Sequence, residues 1–272
     1  MPKICAADIE FNYQYLAHNP LSTESSKNTY TMVYIHGLVM DNLSSAYFTF
    51  AHRVSKVCNV LLYDLRGHGK TQISATGYSI DEQVNDLHVL LKALQINTSL
   101  HIVGCSFGGV LALAYAKRYS QQVASLTLLD AHQHKAKFLS QLQLDLQKEG
   151  DERDHLIQHH FQHWLHRDKT RKRKRLAERA QHLIYQTSLL KDLKTSSTKL
   201  HHHNEVDLKL KAVPILGIYG ASSDALQDIK EFQIQYPHMQ LKVFTQASHA
   251  VLWEETEAVT QAIEHWLQLH CT

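Results

Sequence analysis

No stretch of the chain approaches the ~20 consecutive apolar residues that a membrane-spanning helix needs. The first ten residues carry Lys3, Asp8 and Glu10 where a secretory signal would be apolar. Cysteine is scarce too. Cys5, Cys58, Cys105 and Cys271 form neither a C-x-x-C pair nor a regular spacing, which argues against a disulfide framework and for reduced thiols in a cytoplasmic setting. Four prolines and ten glycines in 272 residues exclude collagen-like and low-complexity chains. Excess charge is also missing: 28 Lys and Arg meet 26 Asp and Glu, so the formal net charge is only +2 with His neutral. A protein-wide field for nucleic acid is therefore not expected, although 21 histidines would make the chain far more positive in acid.

What is present is a hydrophobic fraction of 44%, enough for one large α/β domain with an insertion. From 31 to 130 short apolar runs alternate with amphipathic segments, the pattern of βαβ units and a mainly parallel sheet. Residues 31–35, 57–63, 100–103 and 124–129 read as strands buried on both faces, and 45–56, 79–94 and 107–118 as helices. An antiparallel edge strand or hairpin is expected over 9–16, followed by a polar loop over 19–28. Residues 131–205 are rich in Gln, His, Lys and Leu, helical in period and without a clear strand; strand signals return at 213–219 and 241–244, and a last helix spans about 253–269. The expected organisation is a core of 1–130 and 206–272 interrupted by a helical insertion over 131–205.

Chemistry concentrates at a few points. Residues 100–109 read L-H-I-V-G-C-S-F-G-G, a strand running into Gly104-Cys105-Ser106-Phe107-Gly108 and then at once into a helix. Small residues two before and two after Ser106 are what a strained nucleophile turn requires, and the following helix N-terminus favours negative charge near the hydroxyl. A serine nucleophile needs a base, and His249, in a polar loop after the last strand, is the candidate. The acid that orients this base is expected between the two in chain order and after a strand end. Asp224 in Gly220-Ala221-Ser222-Ser223-Asp224 meets both conditions and is preferred to Asp130, which meets them as well. Strand residues 33–35 run into His36-Gly37-Leu38-Val39, where the N–H of Leu38 can join that of Phe107 as an oxyanion hole. His36, Gly37, Val39, Met40 and Tyr47 are expected beside the substrate, with Leu43 and Phe48 nearby and core packing as the alternative.

Together with Asp64-Leu65-Arg66-Gly67-His68-Gly69, these residues make the chain resemble the α/β-hydrolase superfamily, in the branch with a D-x-R-G-x-G-x-S loop. Thr71 stands where that loop usually has Ser, and Ser248 where Gly often precedes the catalytic His. The resemblance implies an α/β-hydrolase fold, an insertion acting as a cap, acyl transfer through an acyl-serine, and no metal or organic cofactor. It leaves the bond open among esters, thioesters, peptides and carbon–carbon bonds.

Lys135, Lys137, Arg167, Lys169 and the run 171–175 form a basic segment, which suggests an acyl thioester on coenzyme A or an acidic acyl carrier protein as substrate or partner; a solvated helix face is the plainer alternative. His155, His159 and His163, with His160, His166 and His201 to His203, have spacings that can hold zinc or nickel, but no carboxylate completes a ligand set and no metal is expected. A ligand receptor that keeps the triad is the rival reading; binding to nucleic acid ranks below both.

Overall fold

The computed structural model describes residues 2–18, 30–39, 41–131, 171–200, 210–227 and 229–271, with single positions at 144, 148 and 152. Eight strands form one sheet in the order β1-β2-β4-β3-β5-β6-β7-β8. They are β1 (Lys3–Ala6), β2 (Ile9–Leu16), β3 (Tyr30–Ile35), β4 (Asn59–Tyr63), β5 (Ser99–Cys105), β6 (Val123–Leu129), β7 (Ile215–Gly220) and β8 (Gln240–Phe244). β1 and β2 are antiparallel to their neighbours and every other pairing is parallel.

The expected edge element is a full hairpin. Ala6 pairs with Ile9, which leaves Ala7 and Asp8 as a two-residue loop with φ of 49° and 61°, the positive pair that a tight hairpin of this twist demands. β1 escapes a periodicity reading because its four residues, K-I-C-A, are too few to show alternation.

Side chains alternate across the central strands. Val33 and Ile35 of β3 join a cluster on one face of the sheet, whereas Met32 and Tyr34 join the cluster on the other. The first face is covered by α3 (Ile80–Ala93) and α4 (Phe107–Arg118), the second by α1 (Ser44–Tyr47), α2 (Ala51–Val54) and the C-terminal α9 (Thr256–His270). α3 starts with a capping box: the Ser79 hydroxyl accepts from the Glu82 N–H, and the Glu82 carboxylate accepts from the Ser79 N–H. The single helix expected over 45–56 is two short ones, because Tyr47 to Phe50 is aromatic and β-branched and Phe50 must turn fully into the core.

Between β6 and β7 the described residues form α5 (Arg171–Gln186) and α6 (Leu189–Leu200). Leu183, Leu189, Leu190 and Leu193 are buried in the same cluster as α3 and α4. Asp192 and Ser196 of α6 accept the backbone N–H groups of Tyr78 and Ile80 at the start of α3. α7 (Ile229–Gln235) lies between β7 and β8, and α8 (Val251–Glu254) precedes α9. Among the described residues no helix is long and apolar enough to cross a membrane.

The strand order reverses direction at β3, which has β4 on one side and β5 on the other. The C-terminal ends of β3 and β5 thus open a crevice, the usual ligand position in a sheet of this kind. His36 and Ser106 are the residues that follow those two strands.

Candidate active site

The turn from β5 into α4 places Ser106 at φ 52°, a left-handed conformation that is strained for a residue with a side chain. Glycine on both sides makes it possible. A Cβ on Gly104 would sit 2.4 Å from the Gly108 carbonyl oxygen, and one on Gly108 would sit 2.0 Å from that of Ile35. The Ser106 N–H donates to Leu129 O at 2.9 Å, tying the turn to the end of β6.

His249, in the loop after β8, meets this serine. Its Nδ1–H donates to Asp130 Oδ2 at 2.5 Å, so its Nε2 faces the Ser106 hydroxyl as acceptor at 3.0 Å. The three side chains form one hydrogen-bonded chain although they lie far apart in sequence. Ser106 is 3% exposed and Asp130 is fully buried, which keeps water from competing for these bonds.

The carboxylate that pairs with His249 is that of Asp130 and not that of Asp224, contrary to the sequence-based preference. Both residues follow a strand and precede His249, so chain order does not separate them. Geometry does: β6 lies between β5 and β7, which puts its last turn beside Ser106. Asp224 is exposed at the start of a 3₁₀ turn (Asp224–Gln227), and no hydrogen bond joins it to the imidazole among the described residues. The loop after β7 serves Asp130 instead. The Gly220 N–H donates to Asp130 Oδ1 at 3.0 Å, and the Ser223 hydroxyl donates to Oδ2. Gly220 is needed here because a Cβ would stand 2.3 Å from the Ser248 carbonyl oxygen, in the loop that carries His249. The Ser248 N–H and hydroxyl both donate to Glu254, which ties that loop to α8.

Facing the serine is the loop after β3. The N–H groups of Leu38 and Phe107 have no hydrogen-bond partner among the described residues. Their neighbours are fully engaged: the Gly37 N–H donates to Asp41 Oδ2 and the Val39 N–H to His68 Nε2, each at 2.8 Å. Val39 stands at φ 65°, an outlier for a β-branched residue, which the His68 bond helps to hold.

A reciprocal clasp of two histidines sets this loop. His36 Nδ1–H donates to Gly37 O at 2.6 Å while its Nε2 accepts from the Leu65 N–H at 2.9 Å. His68 Nδ1–H donates to Arg66 O at 2.8 Å while its Nε2 accepts from Val39. Each ring thus grips the other's loop, with centroids 5.3 Å apart. Burial, and then the neighbouring His36, depress the His68 pKa to about 3, which keeps its Nε2 an acceptor. Asp64 adds to the brace by accepting from the N–H groups of Leu43 and Lys70 and from Asn12. From α5, the Arg179 guanidinium donates to the carbonyls of Gly67, His68 and Thr71.

Several expected substrate contacts therefore have other duties. His36 is fully buried with both nitrogens bonded to backbone, so it is a brace and not a contact to substrate. Tyr47 packs on the cluster under α1 and α2, with its ring 4.9 Å from that of His52. Gly37 and Val39 commit their N–H groups to the loop itself, and Met40 lies outside the described residues. So do His155, His159, His160, His163, His166 and His201 to His203, together with Lys135, Lys137, Arg167 and Lys169. Among the described residues there is no cluster of three metal-ligating side chains. His68 carries only the signal of its D-L-R-G-H-G motif, and Ser223 and Arg179 carry none in the sequence. Ser223 lies in a polar stretch beside the preferred Asp, while nothing local marks an arginine whose partners are carbonyls more than a hundred residues away.

Other proteins are similar to this chain at two levels. In sequence, the chain is 32% identical over 108 residues to the monoacylglycerol lipase abhd6-A of Xenopus laevis, covering 38% of this chain and 32% of that protein. It is 33% identical over 85 residues to Lipase 1 of Psychrobacter immobilis, covering 31% and 27%. The matched part thus spans about a third or less of the length of these relatives. In structure, an esterase from Exiguobacterium antarcticum superposes with a TM-score of 0.73 at 17% identity, over 98% of both chains. The enol-lactonase of Burkholderia xenovorans superposes at 0.68 with 19% identity, over 98% of this chain and 99% of that one. The profile of the alpha/beta hydrolase fold family matches residues 30–256, and with the sheet order, the serine turn and the late histidine loop this establishes that the chain belongs to the α/β-hydrolase fold family.

Proposed function

We propose that the protein is a serine hydrolase that cleaves carboxylic esters through an acyl-serine intermediate. The observation that carries this reading is the continuous hydrogen-bonded chain from Asp130 through His249 to a strained Ser106 at a helix N-terminus. His249 Nε2 takes the hydroxyl proton as Ser106 Oγ attacks the carbonyl carbon, and Asp130 stabilises the resulting imidazolium. The N–H groups of Leu38 and Phe107 receive the developing oxyanion. The tetrahedral adduct collapses with proton transfer from His249 to the leaving alkoxide, and water, activated by the same imidazole, releases the acid. The names of the lipases and esterases that the chain resembles favour an ester as the bond cleaved.

The helices between β6 and β7 act as the cap in this reading, with α5 latched onto the loop next to the site by Arg179. The basic run 171–175 opens that same helix, which is what favours an acyl thioester on coenzyme A or an acidic carrier protein as a second substrate class. Replacing all five residues by Gln lowers thioester turnover and spares simple esters if this is so; equal effects on both would remove the docking idea.

A fluorophosphonate probe and short-chain p-nitrophenyl esters test the main reading. Expected are covalent labelling at Ser106 and multiple turnovers, both lost in Ser106→Ala. Ligand binding without turnover in either form would instead identify a receptor, and cleavage of carbon–carbon bonds without ester turnover a different chemistry on the same fold.

A further inference from the structure

At the opposite end of β5 from Ser106 lies a second cluster of reactive side chains. Cys58, fully buried, precedes β4, and Cys271, partly exposed, caps the C-terminal end of α9. Cys58 belongs to the buried cluster on one face of the sheet, and Cys271 packs against that same cluster. Cys271 Sγ also stands 3.2 Å from His101 Nε2 on β5. The far side of that ring is fixed, because His101 Nδ1 is 2.8 Å from Ser125 Oγ on β6, and Ser125 Oγ in turn accepts from Trp266 Nε1–H of α9 at 3.1 Å. With Ser125 placed at Nδ1, the imidazole turns an N–H at Nε2 toward the sulfur, an arrangement that favours a thiolate.

We propose that Cys58 and Cys271 form a redox-modifiable dithiol site, with Cys271 as the attacking sulfur, Cys58 as the resolving sulfur and a low-molecular-weight disulfide such as oxidised glutathione as the oxidant. The acidity of the pair follows the same division of roles. Cys271 is lowered to about 5, chiefly by the hydrogen bond from Cys58 and further by that from His101, against the effect of burial. Cys58 is pushed up because it supplies that hydrogen and is buried. The other two cysteines lack these partners: Cys105 is buried and raised well above the ordinary thiol value by burial, and Cys5 is exposed on the edge hairpin.

The chemistry balances as an exchange. The Cys271 thiolate attacks one sulfur of oxidised glutathione, the glutathione S–S bond breaks, and one glutathione thiolate leaves. Cys58 then attacks the Cys271 sulfur, its proton passes to the second departing glutathione thiolate, and the intramolecular disulfide forms. Two protein thiols are oxidised and one glutathione disulfide is reduced to two thiols. Because the reagent enters from the partly exposed Cys271, a fully buried Cys58 is no obstacle: it has only to reach a sulfur that packs against its own cluster. The product would staple the end of α9 to the start of β4.

Incubation of the purified chain with oxidised glutathione, followed by alkylation under denaturing conditions and peptide mapping, tests this. The expected result, beside any adduct at exposed Cys5, is loss of the Cys58 and Cys271 thiols, a cross-linked peptide containing both, and a higher melting temperature that dithiothreitol reverses. Cys58→Ala should stop the reaction at a glutathione adduct on Cys271, and Cys271→Ser should leave Cys58 reduced. Recovery of both thiols reduced in the wild-type chain, under conditions where Cys5 has formed its adduct, would overturn the proposal. So would an adduct that remains on Cys271 although Cys58 is intact. None of these readouts depends on hydrolytic activity, so the dithiol site stands or falls separately from the hydrolase.

Discussion

Asp130 and Asp224 differ by where their strands lie, not by anything in their immediate sequence. Replacing Asp130 by Asn leaves its shape in place but removes the charge that fixes the His249 tautomer, so kcat should fall by about 10³ to 10⁴ with the fold intact. Asp224→Asn, on an exposed turn, should stay near wild type. Ester turnover of the two variants checks the assignment, and comparable losses in both would contradict it. Ser223→Ala removes one donor to the Asp130 carboxylate and should cost about tenfold or less, since His249 and Gly220 still hold it. At this scale the meeting of Ser106 and His249 was legible in the sequence because each is marked by its neighbours: small residues around Ser106, and a polar loop ahead of the last helix for His249. The carboxylate bonded to His249 was not, because it is selected by sheet order, which the sequence does not display.

The elements around the site owe their relative placement to close backbone approaches and to the two-histidine clasp. Gly108→Ala would force a Cβ to within 2.0 Å of the Ile35 carbonyl, a backbone atom that cannot yield, and should cost about 2 kcal/mol or more of stability, read as a lower melting temperature or as insoluble protein. His68 acts through Val39 on the loop that presents Leu38, so it is a positioning residue. His68→Ala should lower kcat by about ten- to a hundredfold with little change in KM, because the misplaced donor matters mostly in the transition state. His68→Gln, whose amide oxygen can stand near the former Nε2 and accept from Val39, should recover most of the loss. Failure of Gln to rescue would show that His68 does not work through that bond. The D-L-R-G-H-G signature marked this loop as special, but its partners, His36 on one side and Arg179 on the other, become visible only when three distant segments are brought together.

For the whole molecule, pH should act on stability through the same buried ring. Folded, His68 resists protonation until about pH 3, whereas unfolded it binds a proton near its ordinary value of 6.5. Below 6.5 the unfolded chain is therefore the better proton binder, and stability falls as pH drops, by about 1.4 kcal/mol per pH unit for this group. The buried carboxyls of Asp41 and Asp86 are raised, chiefly by burial, and act in the opposite sense at lower pH, so the effect is clearest between pH 6.5 and 5. Chemical denaturation at both pH values checks this: the wild type should lose more stability than His68→Gln over that interval, and equal slopes would rule out His68 as the cause. The sheet itself was largely readable, since continuous apolar runs mark strands covered on both faces. The short β1 and the split of the first two helices were not, because four residues carry no period and a break enforced by a buried Phe50 is a tertiary effect.

The position of Asp130 also bears on how this scaffold can diversify. The next residue, Ala131, is fully buried, and its methyl lies against Gly109 in the first turn of α4. From there the chain departs toward the helices that precede β7. The hydrogen-bonded chain of Asp130, His249 and Ser106 is thus rooted where β6 gives way to the segment that leads to those helices. Grafting a foreign segment here requires a splice after Ala131; a cut even two residues earlier would remove with the insertion the carboxylate that holds His249.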